Sequence, residues 1–262
     1  MTKRLLNLGC GHRFHNEWTN VDFKSTGKNV IAYNLLKGIP FKDGIFDMVY
    51  HSHIIEHFSK EDAPKFLMEC YRVLKPNGII RIAFPDLEQI VYHYMKFLKE
   101  LKNGNKQYES DYDWIMLELY DQTVRNVSGG EMAKYLMGGG GITIPNENFI
   151  LKRCGIEMKK IIEAGKNYKY SRKKLFKESI KQIRQKLFGK YLLGKFRLSG
   201  EIHQWMYDSF SLSRLLETEG FLKIVIRDAF TSYLEEWKEY NLDTEPDGSI
   251  YKPDSNYIEA IK

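Results

Sequence analysis

The chain has 262 residues, 43% hydrophobic and 28% charged, with a net charge of +6, which is enough apolar material for a real core. No run approaches the roughly 20 apolar residues that span a bilayer, and the few that follow Met1-Thr2-Lys3-Arg4 are too short for a secretory leader. Cys10, Cys70 and Cys154 lack zinc-type spacing, so the chain reads as a cytosolic protein with reduced thiols and no bound metal.

Leu5-Leu6-Asn7-Leu8 runs into Gly9-Cys10-Gly11, a short buried strand ending in a turn where backbone can approach a ligand with no Cβ in the way. Residues 18–23 read as a second strand with Asp22 near its end. Residues 28–34 read as a third, and 45–53 as a fourth. Only residues 12–18 separate Gly11 from Thr19, fewer than a parallel crossover normally needs, so the first helix is expected to shrink to a turn. Phe66, Leu67, Cys70, Val73 and Leu74 recur at helical spacing within 60–75, and Pro76-Asn77-Gly78 reads as a helix stop before a fifth strand at 78–84. Strands alternating with helices predict an α/β, Rossmann-like doubly wound sheet, mostly parallel and seven-stranded, covered on both faces.

From about residue 89 to 199 that rhythm stops, and the stretch reads as a helical insertion covering the acceptor site, between sheet segments 1–88 and 200–262. Helices are predicted at 88–102 and 112–127, followed by the unrestrained Gly138-Gly139-Gly140-Gly141. Residues 166–197 hold twelve Lys or Arg against the single acid Glu178, which leaves the rest of the chain at −5. Its segment 172–193 reads as an amphipathic basic helix, suited to an anionic membrane surface at the inner face of the membrane. The sheet pattern resumes with a helix at 211–218 and strands at 221–230 and 255–262.

In such a sheet ligands bind beyond the carboxyl ends of the strands. Gly9 and Gly11 permit close approach of a nucleotide-type cofactor, and Asp22 is placed to accept from both hydroxyls of a ribose. Asn34 and Leu35 can border an adenine, and His51 to His57 would face the reacting group.

The ordered run LLNLGCG, NVDF, YNLLKGIPFKDGIFDMVYHSHIIEHF and EDAPKFLMECYRVLKPNGIIRIAFPDLE resembles the class I S-adenosylmethionine-dependent methyltransferases, in particular the branch associated with bacterial capsule and O-antigen clusters. The resemblance spans Leu5 to Glu88 and returns at GEIHQWMYDSFSLSRLLETEGF, leaving the insertion uncovered. It implies S-adenosylmethionine as cofactor, S-adenosylhomocysteine as product, Gly9 and Gly11 under the methionine part, and Asp22 on the ribose, with Asn7 and His51 also expected among the cofactor-binding residues. Two positions depart from the family pattern: its acidic residue opening the first motif is Asn7 here, and its third glycine is Arg13.

An O-methyltransferase of this kind needs an aligned acceptor and a base to take its proton. His53, His203 and His57 are the candidate bases, with His51 and Glu56 beside them. Gln122 and Arg125 are expected to meet an anionic acceptor, with Glu131 completing the pocket, and Trp205 and Tyr207 to stack on a sugar. The expected acceptor is a cell-surface polysaccharide precursor, at a sugar hydroxyl or a phosphoryl or phosphoramidate group. The alternative acceptor is a nucleic acid or another small molecule, although the Asp/Asn-Pro-Pro-aromatic signature of base N-methylation is absent at His51-Ser52-His53-Ile54; a zinc hydrolase would leave the glycine turn unexplained. A non-catalytic relative that binds cofactor or a partner is the alternative of another class.

Overall fold

The computed structural model describes residues 3–137, 143–166 and 188–262. They form two compact units, Met1–Glu88 with Gln204–Lys262, and Gln89–His203.

The first unit is built on seven strands: β1 (Leu5–Leu8), β2 (Thr19–Asp22), β3 (Val30–Ala32), β4 (Phe46–Ser52), β5 (Leu74–Pro85), β6 (Leu222–Arg227) and β7 (Ser255–Ile261). Their order is β3-β2-β1-β4-β5-β7-β6, parallel except that β7 runs antiparallel to both neighbours. This is the Rossmann-like, seven-stranded arrangement expected from the alternating pattern. On one face pack α1 (Asp62–Val73) and α8 (Ser209–Thr218). Ala63, Phe66, Leu67, Cys70 and Val73 lie along one stripe of α1 and are buried with Leu212 and Leu216 of α8 against Leu6, Leu8, Val49, Ile80 and Ile258. Each such large side chain contributes about 1.5–3 kcal/mol of burial. The entry to α8 is fixed by Asp208, which accepts from the Ser211 N–H at 2.6 Å in a capping box.

The opposite face is covered differently. No helix joins β1 to β2 or β2 to β3, in keeping with the short first crossover. In place of helices, residues from the β6–β7 connection lie on this face: Leu234, Trp237 and Leu242 bury Leu5, Trp18, Met48 and Tyr50. Arg81, at the centre of β5, is wholly buried and fastens that connection. Its guanidinium pairs with Asp243 at 2.9 Å and Glu259 at 3.1 Å, donates to the Thr231 and Asp228 carbonyls, and lies 4.3 Å from the Trp237 ring centre. Tyr50 adds a 2.6 Å bond to the other oxygen of Asp243. A buried guanidinium is tolerable only with such compensation.

The Pro76-Asn77-Gly78 turn falls inside a strand rather than ahead of one. Phe46 stands opposite Leu74 and Met48 opposite Ile79, so residues 75–78 loop out as a bulge within β5.

In the second unit, α2 (Leu87–Lys102), which begins at its border, is followed by α3 (Glu109–Val124), α4 (Gly130–Leu136), α5 (Glu147–Cys154), α6 (Ile156–Lys166) and the helical residues 188–197, α7. Trp114, Leu136, Ile144, Ile150, Cys154 and Ile162 form its core. Beside them Arg153 meets Glu118 in a buried pair at 2.7 Å, and the Trp114 indole donates to the same carboxylate. The Gly138–Gly141 run and residues 172–187 of the expected basic helix lie outside the described residues. Among the described residues no helix is long and apolar enough to cross a membrane.

Candidate active site

The parallel register brings the ends of four strands level: Leu8 stands beside Val21 and His51, and Asp22 beside Ala32. Just beyond β1, Gly9 and Gly11 both take left-handed backbone conformations, at φ +63° and +52°. The two glycines serve different ends. A Cβ on Gly9 would fall 2.0 Å from Ile54 Cδ1, whereas one on Gly11 would meet no atom within 4 Å. The first glycine therefore lets the turn pack on the loop after β4, and the second leaves open space in front of it. Cys10 between them is buried, and burial with the nearby Asp22 carboxylate pushes its thiol up to about 12, far from a reactive thiolate.

Asp22 is tied into this turn. Its Oδ2 accepts from the Gly11 N–H at 2.8 Å, its Oδ1 from the Lys24 N–H at 3.3 Å, and Thr26 donates to the Gly11 carbonyl. Each carboxylate oxygen retains acceptor capacity for a hydroxyl. Asn34 caps the short 3-10 turn Leu35–Lys37 by accepting from the Leu36 N–H at 3.0 Å, and Leu35 packs against the core beside it. The open space at Gly11, the carboxylate one strand away and the capped turn after β3 suit a nucleoside-bearing cofactor.

Asn7 and Arg13, the two departures, face elsewhere. Asn7 is buried and donates to the Arg13 carbonyl at 3.1 Å and to Asn20 Oδ1 at 3.3 Å, bracing the turn from behind. The Arg13 side chain pairs with Glu245 at 3.1 Å, donates to the Leu242 and Thr244 carbonyls, and lies 4.2 Å from the Tyr251 ring centre. It anchors the β6–β7 connection beside the glycine turn.

After β4 the histidines separate. His51, still on the strand, turns toward α1: it is wholly buried with its ring 5.1 Å from Phe66, and neither ring nitrogen has a hydrogen-bond partner among the described residues. Burial lowers its pKa to about 4, against the opposing pull of Glu56, so it is neutral at pH 7. His53 is set differently by a backbone φ of +53°, an uncommon conformation for a residue other than glycine. Its Nδ1 lies 3.4 Å from Glu56 Oε1 and its Nε2 2.7 Å from Ser255 Oγ, the first residue of β7. Glu56 is 1% exposed, and its backbone carbonyl accepts from Gln204 and Trp205, which pins the run after residue 203 to this loop. His57 sits half-buried, its carbonyl accepting from Gln204 Nε2 at 2.8 Å. Trp205 is 41% exposed with Lys60 Nζ 4.6 Å from its ring centre. Tyr207 is part of the core, and burial followed by the Glu56 charge pushes its phenol up to about 12.

The remaining candidates belong to the second unit. His203 is buried and its N–H donates to the Gln122 carbonyl at 3.0 Å. Arg125 reaches Gln122 Oε1 at 3.4 Å and the Glu201 carbonyl at 3.3 Å, with the Glu201 carboxylate 4.0 Å away, so it is paired with an acid of its own unit. Glu131 pairs with Lys134 on the same helix face. The structure thus gathers Gly9, Gly11, Asp22, His53, Glu56 and His57 at one sheet edge, with Asn34 in the loop after β3. It sets His51 and Tyr207 into the core. Ser255 had no motif to mark it, being a lone serine at the start of the last strand.

Residues 16–82 match the family model described as a methyltransferase domain. Among solved structures, the chain is similar to an S-adenosylmethionine-dependent methyltransferase from Archaeoglobus fulgidus, at 16% identity over 99% of this chain and 86% of that one, with a TM-score of 0.40. It is also similar to one from Thermotoga maritima, at 14% identity over 100% and 83%, TM-score 0.42. A third is phosphoethanolamine N-methyltransferase 2 of Haemonchus contortus in complex with S-adenosyl-L-methionine, at 11% identity over 100% and 49%, TM-score 0.38. No curated protein matches the chain. The methyltransferase-domain match falls on β2 to β5, inside the seven-stranded sheet, on the same segments that carry Asp22, Asn34 and the loop after β4.

Proposed function

We propose that the protein is an O-methyltransferase whose general base is His53 and whose acceptor is a hydroxyl-bearing precursor of a cell-surface polysaccharide. The observation that carries the chemistry is the His53–Glu56 pair. A histidine in a left-handed backbone conformation at a strand end, with a buried carboxylate 3.4 Å from Nδ1, is a base held by an orienting acid. Such a base matters for a hydroxyl acceptor, which must lose a proton, more than for an acceptor that is already a nucleophile. The polysaccharide class, and within it a sugar hydroxyl or a phosphoryl or phosphoramidate group, rests on the motif run that resembles the capsule and O-antigen branch.

S-adenosylmethionine, when bound, supplies a methyl group on a sulfonium that is already an excellent leaving group. The residues of this chain then have three tasks. Gly11 keeps the floor of the cofactor site free of side chains and Gly9 lets the turn pack on Ile54, while Asp22 accepts from the ribose hydroxyls and Asn34 with Leu35 border the adenine. His53 takes the acceptor proton, and Glu56 stabilises the imidazolium that results. Trp205, partly exposed beside the loop after β4, is assigned to the acceptor.

The test is a screen of nucleotide-sugars and capsule fragments for methyl transfer, read by mass spectrometry, with His53→Gln beside the wild type. General-base loss should lower single-turnover transfer about 10²–10⁴-fold at unchanged S-adenosylhomocysteine affinity. Full turnover by His53→Gln removes His53 as the base.

A further inference from the structure

Both ring nitrogens of His53 are occupied by side chains of its own unit. Nδ1 faces Glu56 Oε1 at 3.4 Å and Nε2 faces Ser255 Oγ at 2.7 Å, across the end of β5, where the His53 N–H donates to the Ala83 carbonyl. An ionised carboxylate only accepts, so the imidazole proton belongs on Nδ1 and Nε2 receives the Ser255 O–H. A proton bound for His53 therefore arrives at Nε2, the position that Ser255 holds. Ser255 Oγ, once it donates to His53, still has lone pairs with which to accept from an incoming hydroxyl. The preceding residue, Asp254, keeps Oδ1 buried with no hydrogen-bond partner among the described residues, an acceptor atom that a ligand hydroxyl can satisfy. Tyr257, two residues further on, donates to the Lys252 carbonyl at 3.3 Å and also lies within hydrogen-bond reach of the Ser255 side chain; burial, the largest influence, raises its pKa, so it stays protonated and does not compete as a base.

We propose that Ser255 is a catalytic residue that relays the acceptor's proton to His53, a role that rests on the reading of His53 as the base. When the acceptor oxygen is methylated its O–H bond breaks and the proton passes to Ser255 Oγ. The Ser255 proton moves in the same event to Nε2, leaving the serine neutral and His53 an imidazolium facing Glu56. No oxidant or reductant is needed, and the proton returns to solvent once the methylated product leaves. The acceptor is thereby specified as a neutral hydroxyl that approaches the N-terminal end of β7.

Two measurements test the relay with Ser255→Ala, Ser255→Thr and His53→Gln. The first needs no acceptor: nitrogen NMR of histidine-labelled protein saturated with S-adenosylhomocysteine, His53 being assigned by its loss in His53→Gln. The wild type and Ser255→Thr should show an Nδ1–H tautomer with a hydrogen-bonded Nε2. Ser255→Ala should shift the Nε2 resonance toward that of a free acceptor. An unchanged Nε2 resonance in Ser255→Ala overturns the relay. The second is single-turnover methyl transfer to the nucleotide-sugar panel. Ser255→Ala should be slowed about 10²–10⁴-fold and Ser255→Thr less than tenfold, each with S-adenosylhomocysteine affinity within about twofold of wild type. Ser255→Ala at the wild-type rate, or Ser255→Thr as slow as Ser255→Ala, also overturns it. If Ser255→Ala is active and His53→Gln is not, the base stands and only the relay falls. If His53→Gln is fully active, the base itself falls. A wild type inert on the whole panel counts against the proposed acceptor, and the NMR outcome still decides the relay.

Discussion

Replacing each glycine of the first turn by alanine separates folding from cofactor binding. At Gly11 the φ of +52° costs an alanine about 1–2 kcal/mol, and the new Cβ meets no atom within 4 Å, so that is the whole penalty to folding. At Gly9 the backbone cost is similar, but the Cβ would fall 2.0 Å from Ile54 Cδ1 and 2.5 Å from Cγ1. Ile54 must move, which adds about 1–3 kcal/mol of overpacking. Gly9→Ala is thus expected to lose more stability than Gly11→Ala by that margin. Binding should run the other way. The open space at Gly11 is where the cofactor is assigned, so a methyl group there should weaken S-adenosylhomocysteine by about 1–3 kcal/mol, roughly 5- to 150-fold in Kd. Thermal unfolding gives the first comparison and titration calorimetry the second. In ligand at a hundred times its Kd the wild type gains about 2.7 kcal/mol, and Gly11→Ala at the same concentration should lose much of that gain. Gly11→Ala binding as tightly as wild type would refute the placement of the cofactor over this turn.

Asp22→Asn should weaken S-adenosylhomocysteine by about 1.5–3 kcal/mol through loss of a charge-assisted hydrogen bond, and an unchanged calorimetric Kd rules out its ribose role. His51 gives a pH signature. Its pKa is about 4 in the fold against about 6.5 unfolded, so the unfolded chain binds the proton first; stability is full above pH 6.5 and declines by about 3 kcal/mol as pH falls to 4. Urea unfolding between pH 7.5 and 4.5 should show a shallower slope in His51→Leu, and equal slopes would exclude His51 as the source. Asp243→Ala, which takes the partner of both Arg81 and Tyr50, should cost about 3–5 kcal/mol in urea unfolding. A loss below about 1 kcal/mol would show that Arg81 is held adequately by Glu259 and the two carbonyls.

The strands were legible because their apolar runs are short and punctuated, and the Gly9-Cys10-Gly11 turn with Asp22 one strand away was legible because both act within a few residues of a strand end. The histidines were harder. A period of two assigns sides along β4, but it stops where His53 takes a positive φ, so the pattern does not distinguish the buried His51 from the paired His53. Arg81 was invisible for another reason. In GIIRIAF it looks like an outward-facing polar residue, and only Asp243 and Glu259, 162 and 178 residues away, make its burial possible. Ser255 shares that limit, since its partner stands 202 residues earlier. The helix stop at Pro76-Asn77-Gly78 was real as a turn, and pairing with β4 on both sides of it extended the strand through it.

The cover on the second face of the sheet bears on how the chain folds. Leu5 in β1 is buried by Leu234, Trp237 and Leu242, and Arg81 finds its acids only in Asp243 and Glu259. Contacts so distant along the chain must await synthesis of the segment that closes them, and such topologies fold slowly. A nascent chain emerging from the ribosome would display Leu5, Met48 and Tyr50 uncovered and an uncompensated guanidinium until residues near 240 appear. During that interval the half-made sheet would depend on chaperones, and interruption of synthesis before residue 228 should yield aggregates rather than a smaller folded domain.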